Sequence, residues 1–225
     1  SNHYERINAN PPAGGFTQQF FNHFNGIDYN AQNDQIMLSA RNQSEIWIID
    51  HSTTTAQAAG HTGGKSGKGG DLIYRWGNPL WNKLGTVSNQ TLFQQHCCTW
   101  IPSNYPGGGH ILIHNNGIGR TPSQYTSIDE IVLPALDANN NYSRSPGATF
   151  GPTNLFWTYK DSVPTNFFGA DIGGAERLPN GNTLVTFGIR GTLFEVTPAG
   201  QTVWKYVNPV TQSPLAQGTV VPFDP

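Results

Sequence analysis

Short runs of β-branched and aromatic residues alternate with turns rich in Gly, Pro, Asn and Asp along the whole chain. Examples are "DQIMLSAR", "GGHILIHNNG" and "GTLFEVTP". Runs of this kind, bounded by turn residues, favour β-strands over helices. The pattern therefore predicts an all-β fold with almost no helix.

These runs form a repeat of three segments, each with four runs. The fourth run of each segment carries a tryptophan, Trp76, Trp157 or Trp204, and we expect the three to occupy equivalent positions. Four-stranded units repeated along a chain are typical of β-propeller blades. We predict three such blades, at about residues 22–80, 90–161 and 167–208, in a domain of residues 22–225 that ends in a C-terminal tail and follows an irregular N-terminal segment of residues 1–21.

Three blades are fewer than the ~4–8 of closed propellers. The fold predicted here is therefore a partial β-propeller. The missing blades would come from the rest of a longer chain or from another copy of this one.

Composition narrows the classes of partner. Charged residues make up 12% of the 225 residues, and the net charge is −2, which gives no reason to expect nucleic acid or an anionic membrane as partner. No run approaches the ~18 apolar residues of a membrane span. We therefore expect no nucleic-acid binding and no membrane span.

Residues 59–66, "AGHTGGKS", match a permissive form of the phosphate-binding loop. That loop requires a helix after its Ser or Thr, whose first amides hold phosphate. Here Gly67, Gly69 and Gly70 follow, and each would weaken a helix by ~1 kcal/mol relative to Ala. We interpret the match as a Gly-rich insertion between two strands, with no bound nucleotide.

Two other patterns resemble ligand sites. Asp137 opens an alternation of Asp, Asn and Ser like the start of a calcium loop, but the sixth-position Gly and the closing Glu are missing. Cys97 and Cys98 are adjacent, and a disulfide between neighbours is strained, so we expect two free thiols on opposite faces of a strand. We predict no metal site and no cofactor.

Histidines supply the first candidate chemistry. The innermost strand of each blade lines the central channel of a propeller. Alignment on Ile101-Pro102 and Leu178-Pro179 places His23, His96 and Gly173 at equivalent positions. Two channel histidines could bind an anion, transfer a proton or carry a covalent group on nitrogen. The alternative is a hydrogen-bonded pair that packs the channel.

Arg120 closes the run "HNNGIGR" and is suited to a sulfate, phosphate or carboxylate. Asn115 and Asn116 could donate amide hydrogen bonds beside it, whereas a structural reading makes Arg120 an ordinary turn residue. The other histidines are interpreted as turn or strand-face residues: His51, His61, His110 and His114.

Long collinear stretches resemble the arylsulfotransferase-like (aryl-sulfate sulfotransferase) family, especially its secreted bacterial branch. They include "LFQQHCCTWIP", "GGGHILIHNNGIGR" and "GAERLPNGNTLVTFGIRGTLFEVTPAGQTVWKYVNP". The resemblance implies a six-bladed propeller in a larger chain, and transfer of a sulfuryl group between phenols through a sulfohistidine, independently of PAPS. His23 and His96 fall on the family's His-bearing motifs and Arg120 on its Arg-bearing motif. Two departures are the lack of a histidine at Gly173 and the pair Cys97-Cys98.

Two hypotheses follow for function. The first is a secreted or periplasmic sulfuryl-transfer enzyme that acts on an aryl sulfate or another small anion, with His23, His96 and Arg120 as catalytic residues. The second is a non-catalytic extracellular propeller that binds a ligand or builds an assembly.

Overall fold

The computed structural model describes Arg6, residues 23–208 and Ala216. The predicted irregular segment, residues 1–21, lies outside these residues apart from Arg6. The described chain forms three four-stranded sheets. The strands of the first sheet are β1 (Phe24–Asn30), β2 (Gln35–Ala40), β3 (Glu45–Asp50) and β4 (Leu72–Trp76). Those of the second are β5 (His96–Trp100), β6 (Ile111–Asn115), β7 (Ser127–Ile131) and β8 (Trp157–Tyr159). Those of the third are β9 (Gly174–Arg177), β10 (Thr183–Phe187), β11 (Thr192–Val196) and β12 (Thr202–Val207).

Each sheet is an antiparallel meander in which the strands pair in chain order. The first strands of the three sheets, β1, β5 and β9, contact one another in sequence, so the sheets are arranged side by side around a common inner edge. This confirms the predicted all-β fold of three four-stranded propeller blades, which we call blades 1, 2 and 3. The helical content of the described chain is one four-residue helix, α1 (Thr55–Ala58), and three short 3₁₀ turns, Val87–Asn89, Pro164–Phe167 and Gly188–Arg190.

Apolar side chains fill the two spaces between neighbouring blades. Met37 and Ile48 of blade 1 pack against Trp100 and Ile113 of blade 2. On the other side of blade 2, a second cluster joins it to blade 3 and contains Leu112, Ile128, Val185 and Phe194. All five residues of β6 are buried because both faces of this central strand are covered.

The tryptophans of the fourth strands are not all equivalent. Trp157 pairs with the fourth residue of β7, and Trp204 pairs with the fourth residue of β11. Trp76 pairs with Ile46, the second residue of β3, and Tyr74 holds the equivalent position. The prediction is therefore wrong for Trp76, because residues two apart share a face of the sheet and either can fill the space between blades.

Trp76 nevertheless makes the contact that Trp157 makes. The Trp76 Nε1–H donates to the carbonyl of Pro152 at 2.8 Å, and the Trp157 Nε1–H donates to the carbonyl of Pro198 at 2.8 Å. Each proline lies in the connection between the third and fourth strands of the next blade. The two indoles thus tie blade 1 to blade 2 and blade 2 to blade 3, from two different register positions.

The Gly-rich loop is organised around a carboxylate of the protein itself. Asp50 ends β3, and its Oδ2 accepts the backbone N–H of Ser66 at 2.7 Å while its Oδ1 accepts that of Ser52 at 2.9 Å. Between Ser66 and β4 the described chain contains no helix. The Ser66 amide, which a phosphate would need, is already used by Asp50. None of the helices in the described ranges has the length and hydrophobicity needed to cross a bilayer.

Candidate functional site

The candidate site lies at the end of the blades where the innermost strands begin. His23 directly precedes β1, His96 is the first residue of β5 and Gly173 directly precedes β9. Arg41 and Asn116 are the first residues after β2 and β6. In an antiparallel meander the start of the first strand and the end of the second lie side by side, so these five residues gather at one end of the inner edge.

The register of the strands corrects the alignment of the two histidines. His96 pairs with His114, the last residue but one of β6. The last residue but one of β10, Thr186, pairs with Gly174, so Gly173 lies one position upstream of that of His96. In blade 1, Phe24 pairs with Ala40, the last residue of β2, so His23 lies two positions upstream of that of His96. The sequence alignment was based on Ile101-Pro102 and Leu178-Pro179, and these motifs do not determine which residues of neighbouring strands pair.

His96 has one ring nitrogen fixed by Asn116. The Asn116 Nδ2 donates to the carbonyls of Gly169 at 2.8 Å and Ile172 at 3.0 Å, which leaves its Oδ1 as an acceptor. That oxygen lies 2.7 Å from His96 Nδ1, so the Nδ1 carries the proton. The Nε2 of a neutral His96 is therefore the nitrogen with a free electron pair.

The surroundings of His96 favour this neutral form. Burial lowers the pKa of His96 below its ordinary value, and electrostatic repulsion from Arg41 and His23 lowers it further. The Asn116 hydrogen bond and the carboxylate of Asp171 act in the opposite direction. The charge effect also shows that His23 and Arg41 lie within electrostatic range of the His96 ring.

Arg41 is the cation of the site, and it already has an anionic partner. Its Nη2 lies 2.6 Å from Asp171 Oδ1. The Arg41 side chain is 12% exposed, whereas that of Asp171 is 66% exposed. The Arg41 backbone N–H donates to the carbonyl of His23 at 3.1 Å, which fixes the start of its side chain beside the first histidine.

Strained backbone holds two residues of the site. Cys97 is the extra residue of a β-bulge after His96 and has φ +46°. Ile172 has φ +50°, and its N–H donates to His96 Nε2 at 3.3 Å. A positive φ is uncommon outside Gly and is strained in a β-branched residue, and a bulge changes the direction in which neighbouring side chains point. The backbone is thus bent at both sides of the His96 ring.

Cys97 and Cys98 are free thiols, as the sequence predicts. Cys98 is buried in the core between blades 1 and 2, and burial raises its pKa. Cys97 is half-buried, and burial raises its pKa as well. Both cysteines are therefore held in the neutral thiol form at neutral pH.

A third histidine lies beneath the site. His114 of β6 pairs with His96 in the sheet, is fully buried, and has no hydrogen-bond partner on either ring nitrogen among the described residues. Burial lowers its pKa to about 4. Gly173 packs on this ring with φ +123°, and a Cβ there would overlap it. The sequence interpretation of His114 as a strand-face residue missed that it adjoins the site.

Arg120 and Asn115 are held by contacts within blade 2. The Arg120 guanidinium lies over the rings of Tyr125 and Phe93, at 4.1 and 5.1 Å from their centroids, and donates to Ser127 Oγ at 3.1 Å. Asn115 accepts from the Phe93 N–H and donates to the Thr91 carbonyl and to Asp129.

The oxygen and both amide hydrogens of Asn115 are used within blade 2, so the prediction that it binds a ligand gains no supporting contact. The prediction that Arg120 shares an anion with the histidines gains no supporting contact. The arginine that lowers the pKa of His96 is Arg41.

Arg41 was missed although the sequence contains a signal for it. Arg41 ends "LSAR" and Asn116 ends "LIHNN", and each directly follows the second strand of its blade. An alignment of the second strands would have placed both at one site. Asp171 carries no comparable signal, because it lies in an irregular connection.

Comparison with known proteins identifies the family. The family model described as Arylsulfotransferase (ASST) matches residues 17–220, most of the chain. The chain belongs to the arylsulfotransferase family. No functionally curated protein matches its sequence significantly.

Solved structures with a similar arrangement of strands are distant in sequence. Virginiamycin B lyase from Staphylococcus aureus is 14% identical with a TM-score of 0.43, and the match covers 89% of this chain and 46% of that one. A protein of unknown function from Bacteroides caccae is 11% identical with a TM-score of 0.41 and coverages of 82% and 45%. The β-propeller domain of Cps50 (Swd1) from Myceliophteria thermophila is 11% identical with a TM-score of 0.41, and the match covers 83% of this chain and 43% of that one. This chain thus spans less than half the length of each of these matched chains.

Proposed function

We propose that this arylsulfotransferase-family chain carries a sulfuryl-transfer site in which His96 accepts the sulfuryl group on Nε2. The observation that carries the proposal is the hydrogen bond from His96 Nδ1 to Asn116, which leaves the Nε2 electron pair as the nucleophile. The lowered pKa of His96 keeps that pair unprotonated at neutral pH. The substrate class is an aryl sulfate.

The proposed reaction has two steps. In the first, His96 Nε2 attacks the sulfur of the aryl sulfate, the N–S bond forms, and the bond from sulfur to the phenol oxygen breaks with release of a phenolate. In the second, the oxygen of an acceptor phenol attacks the sulfur and the N–S bond breaks. The two steps return His96 to its starting form and yield a new aryl sulfate.

Arg41 and His23 support these steps by charge and proton transfer. The guanidinium of Arg41 would neutralise the sulfuryl oxygens, which carry negative charge throughout the transfer. His23 is exposed at the start of β1 and within electrostatic range of His96. In the proposal it gives a proton to the leaving phenolate and takes one from the acceptor phenol.

Turnover of p-nitrophenyl sulfate with a phenol acceptor tests the proposal, and the full-length protein should be used. His96→Ala should abolish turnover rather than only raise KM, because a nucleophile acts in the chemical step. His61→Gln is the control, since His61 is exposed and pairs with Asp71 on the Gly-rich loop. Undiminished turnover in the His96 variant would contradict the assignment.

The pH profile gives a second test. A histidine whose pKa is lowered loses its nucleophilic form only below the ordinary value of ~6.5. The acidic limb of the activity profile should therefore lie below ~6.5. An acidic limb above that value would mean that another group controls the reaction.

The second candidate function is a non-catalytic propeller. Two contacts favour it: Ile172 N–H already occupies His96 Nε2, and Asp171 already occupies Arg41. A full-length protein that leaves p-nitrophenyl sulfate unchanged, with no sulfuryl group on His96 by mass spectrometry, would support this candidate. A secreted or periplasmic location belongs to both proposals.

A ring of six blades is also part of the proposal. The first and last blades present apolar side chains to solvent, with Ile27 72%, Trp204 48% and Tyr206 46% exposed. Trp204 corresponds in register to Trp157, which is tied to the next blade. Further blades packed on these two faces would bury them.

A further inference from the structure

We propose that Asp171 is a built-in competitor for the anion site, which occupies Arg41 until an anionic substrate displaces it. This inference rests on the proposed function, because it concerns access to the same site. It adds a residue that regulates the site and that takes no part in the chemistry.

The first step of the argument is the position of the carboxylate. Asp171 Oδ1 lies 2.6 Å from Arg41 Nη2, the distance at which a carboxylate or sulfate oxygen meets a guanidinium. Asp171 also acts on His96 by its charge. The carboxylate therefore lies where an oxygen of a bound sulfuryl group would neutralise the same arginine.

The second step is that the neighbouring residue covers the nucleophile. Ile172 donates its N–H to His96 Nε2. Both groups that the proposed chemistry requires, the Arg41 guanidinium and the His96 electron pair, are thus occupied by two consecutive residues. A substrate must replace both contacts together.

The third step is that neither contact is strong. The Asp171 side chain is 66% exposed, and ion pairs with a solvated partner contribute little. The Ile172 contact, at 3.3 Å, exceeds the usual range of ~2.7–3.2 Å for an N–H donor. Ile172 also has a strained backbone and a half-exposed side chain. Displacement of the two residues by an anion therefore costs little free energy.

Binding of inorganic sulfate, measured by calorimetry on the full chain, tests the inference. Asp171→Asn keeps the shape and the hydrogen-bond acceptor but removes the charge, so sulfate should bind roughly five-fold more tightly. Asp137→Asn is the matched control: Asp137 is an exposed turn residue whose Oδ1 accepts two backbone N–H groups, as an Asn oxygen also can. Arg41→Gln should lose sulfate binding.

The outcomes separate the two proposals. Unchanged or weaker binding in Asp171→Asn, with binding lost in Arg41→Gln, would overturn the competitor and leave the site standing. Wild-type affinity in Arg41→Gln would overturn both. If the wild type and Asp171→Asn both fail to bind sulfate, the competitor is also wrong. With p-nitrophenyl sulfate, Asp171→Asn should lower KM and leave kcat unchanged, a split that a merely structural role would not produce.

Discussion

His114 makes the stability of this fold depend on pH in a way that one substitution can isolate. The imidazole is fully buried, and its pKa is lowered to about 4. In the unfolded chain the pKa returns to its ordinary value of ~6.5. Between these values the unfolded chain binds a proton that the folded chain does not, so the free energy of unfolding rises with pH.

The magnitude follows from the two pKa values. Over the whole interval a shift of ~2.5 units corresponds to about 3 kcal/mol. Lowering the pH from about 7.5 to about 5 uses part of that interval and should remove about 2 kcal/mol of stability through His114 alone. Other groups also contribute to the pH dependence of stability, among them Glu45, whose pKa burial raises. The wild type must therefore be compared with a variant at both pH values.

His114→Leu removes the titrating group and puts an apolar side chain of similar volume beside Gly173 and Phe167. Urea unfolding should show that the loss of stability on acidification is smaller by about 2 kcal/mol in this variant than in the wild type. The exposed His61, changed to Gln, should leave the loss unchanged. An equal loss in wild type and His114→Leu would refute the reasoning, as would an NMR titration of the wild type that places the His114 pKa near 6.5.

The remaining predictions concern other parts of the described chain. Gly173→Ala should destabilise the fold by ~2–4 kcal/mol in urea unfolding, because its Cβ would overlap a buried ring, whereas Gly67→Ala, also at positive φ but with nothing nearby, should cost only ~1 kcal/mol. Arg177→Met should cost ~3–5 kcal/mol because it leaves the fully buried Glu130 carboxylate without its arginine; a cost below ~1 kcal/mol would show that Glu130 does not depend on it. Calorimetry should detect no ATP binding, and micromolar affinity lost in Lys65→Ala would show that the Gly-rich loop holds phosphate after all.

The blades were predictable from sequence because each is local. Four runs with turn residues between them form one antiparallel meander, and the chain needs no distant contact to specify it. Register was less predictable. Trp76 and Tyr74 share a face of β4, so the pattern alone could not say which of them matches Trp157.

The same limit explains the histidines. His23 and His96 sit on similar motifs, yet a two-residue offset separates their positions in the sheet. The ion pair at the site could not be predicted from the sequence for a different reason. Arg41 and Asp171 are 130 residues apart in the chain, and nothing local to either indicates the other. Arg120 was the more conspicuous arginine in the sequence, but two aromatic rings hold it within blade 2.

The site nevertheless follows from the repeat, through what the blades place directly after their second strands and near the starts of their first strands. Directly after the second strand, blade 1 supplies the cation Arg41 and blade 2 supplies the amide of Asn116, while blade 3 has Gly188, where a Cβ would lie 2.7 Å from the Ile172 side chain. One position upstream of that of His96, blade 3 has Gly173, where a Cβ would overlap the His114 ring. Both glycines of blade 3 thus provide space, one for the residue that covers His96 Nε2 and one for the buried histidine beneath it. A histidine at Gly173 would displace His114, so its absence from the third blade is a packing requirement of this site and gives no evidence that the site is inactive.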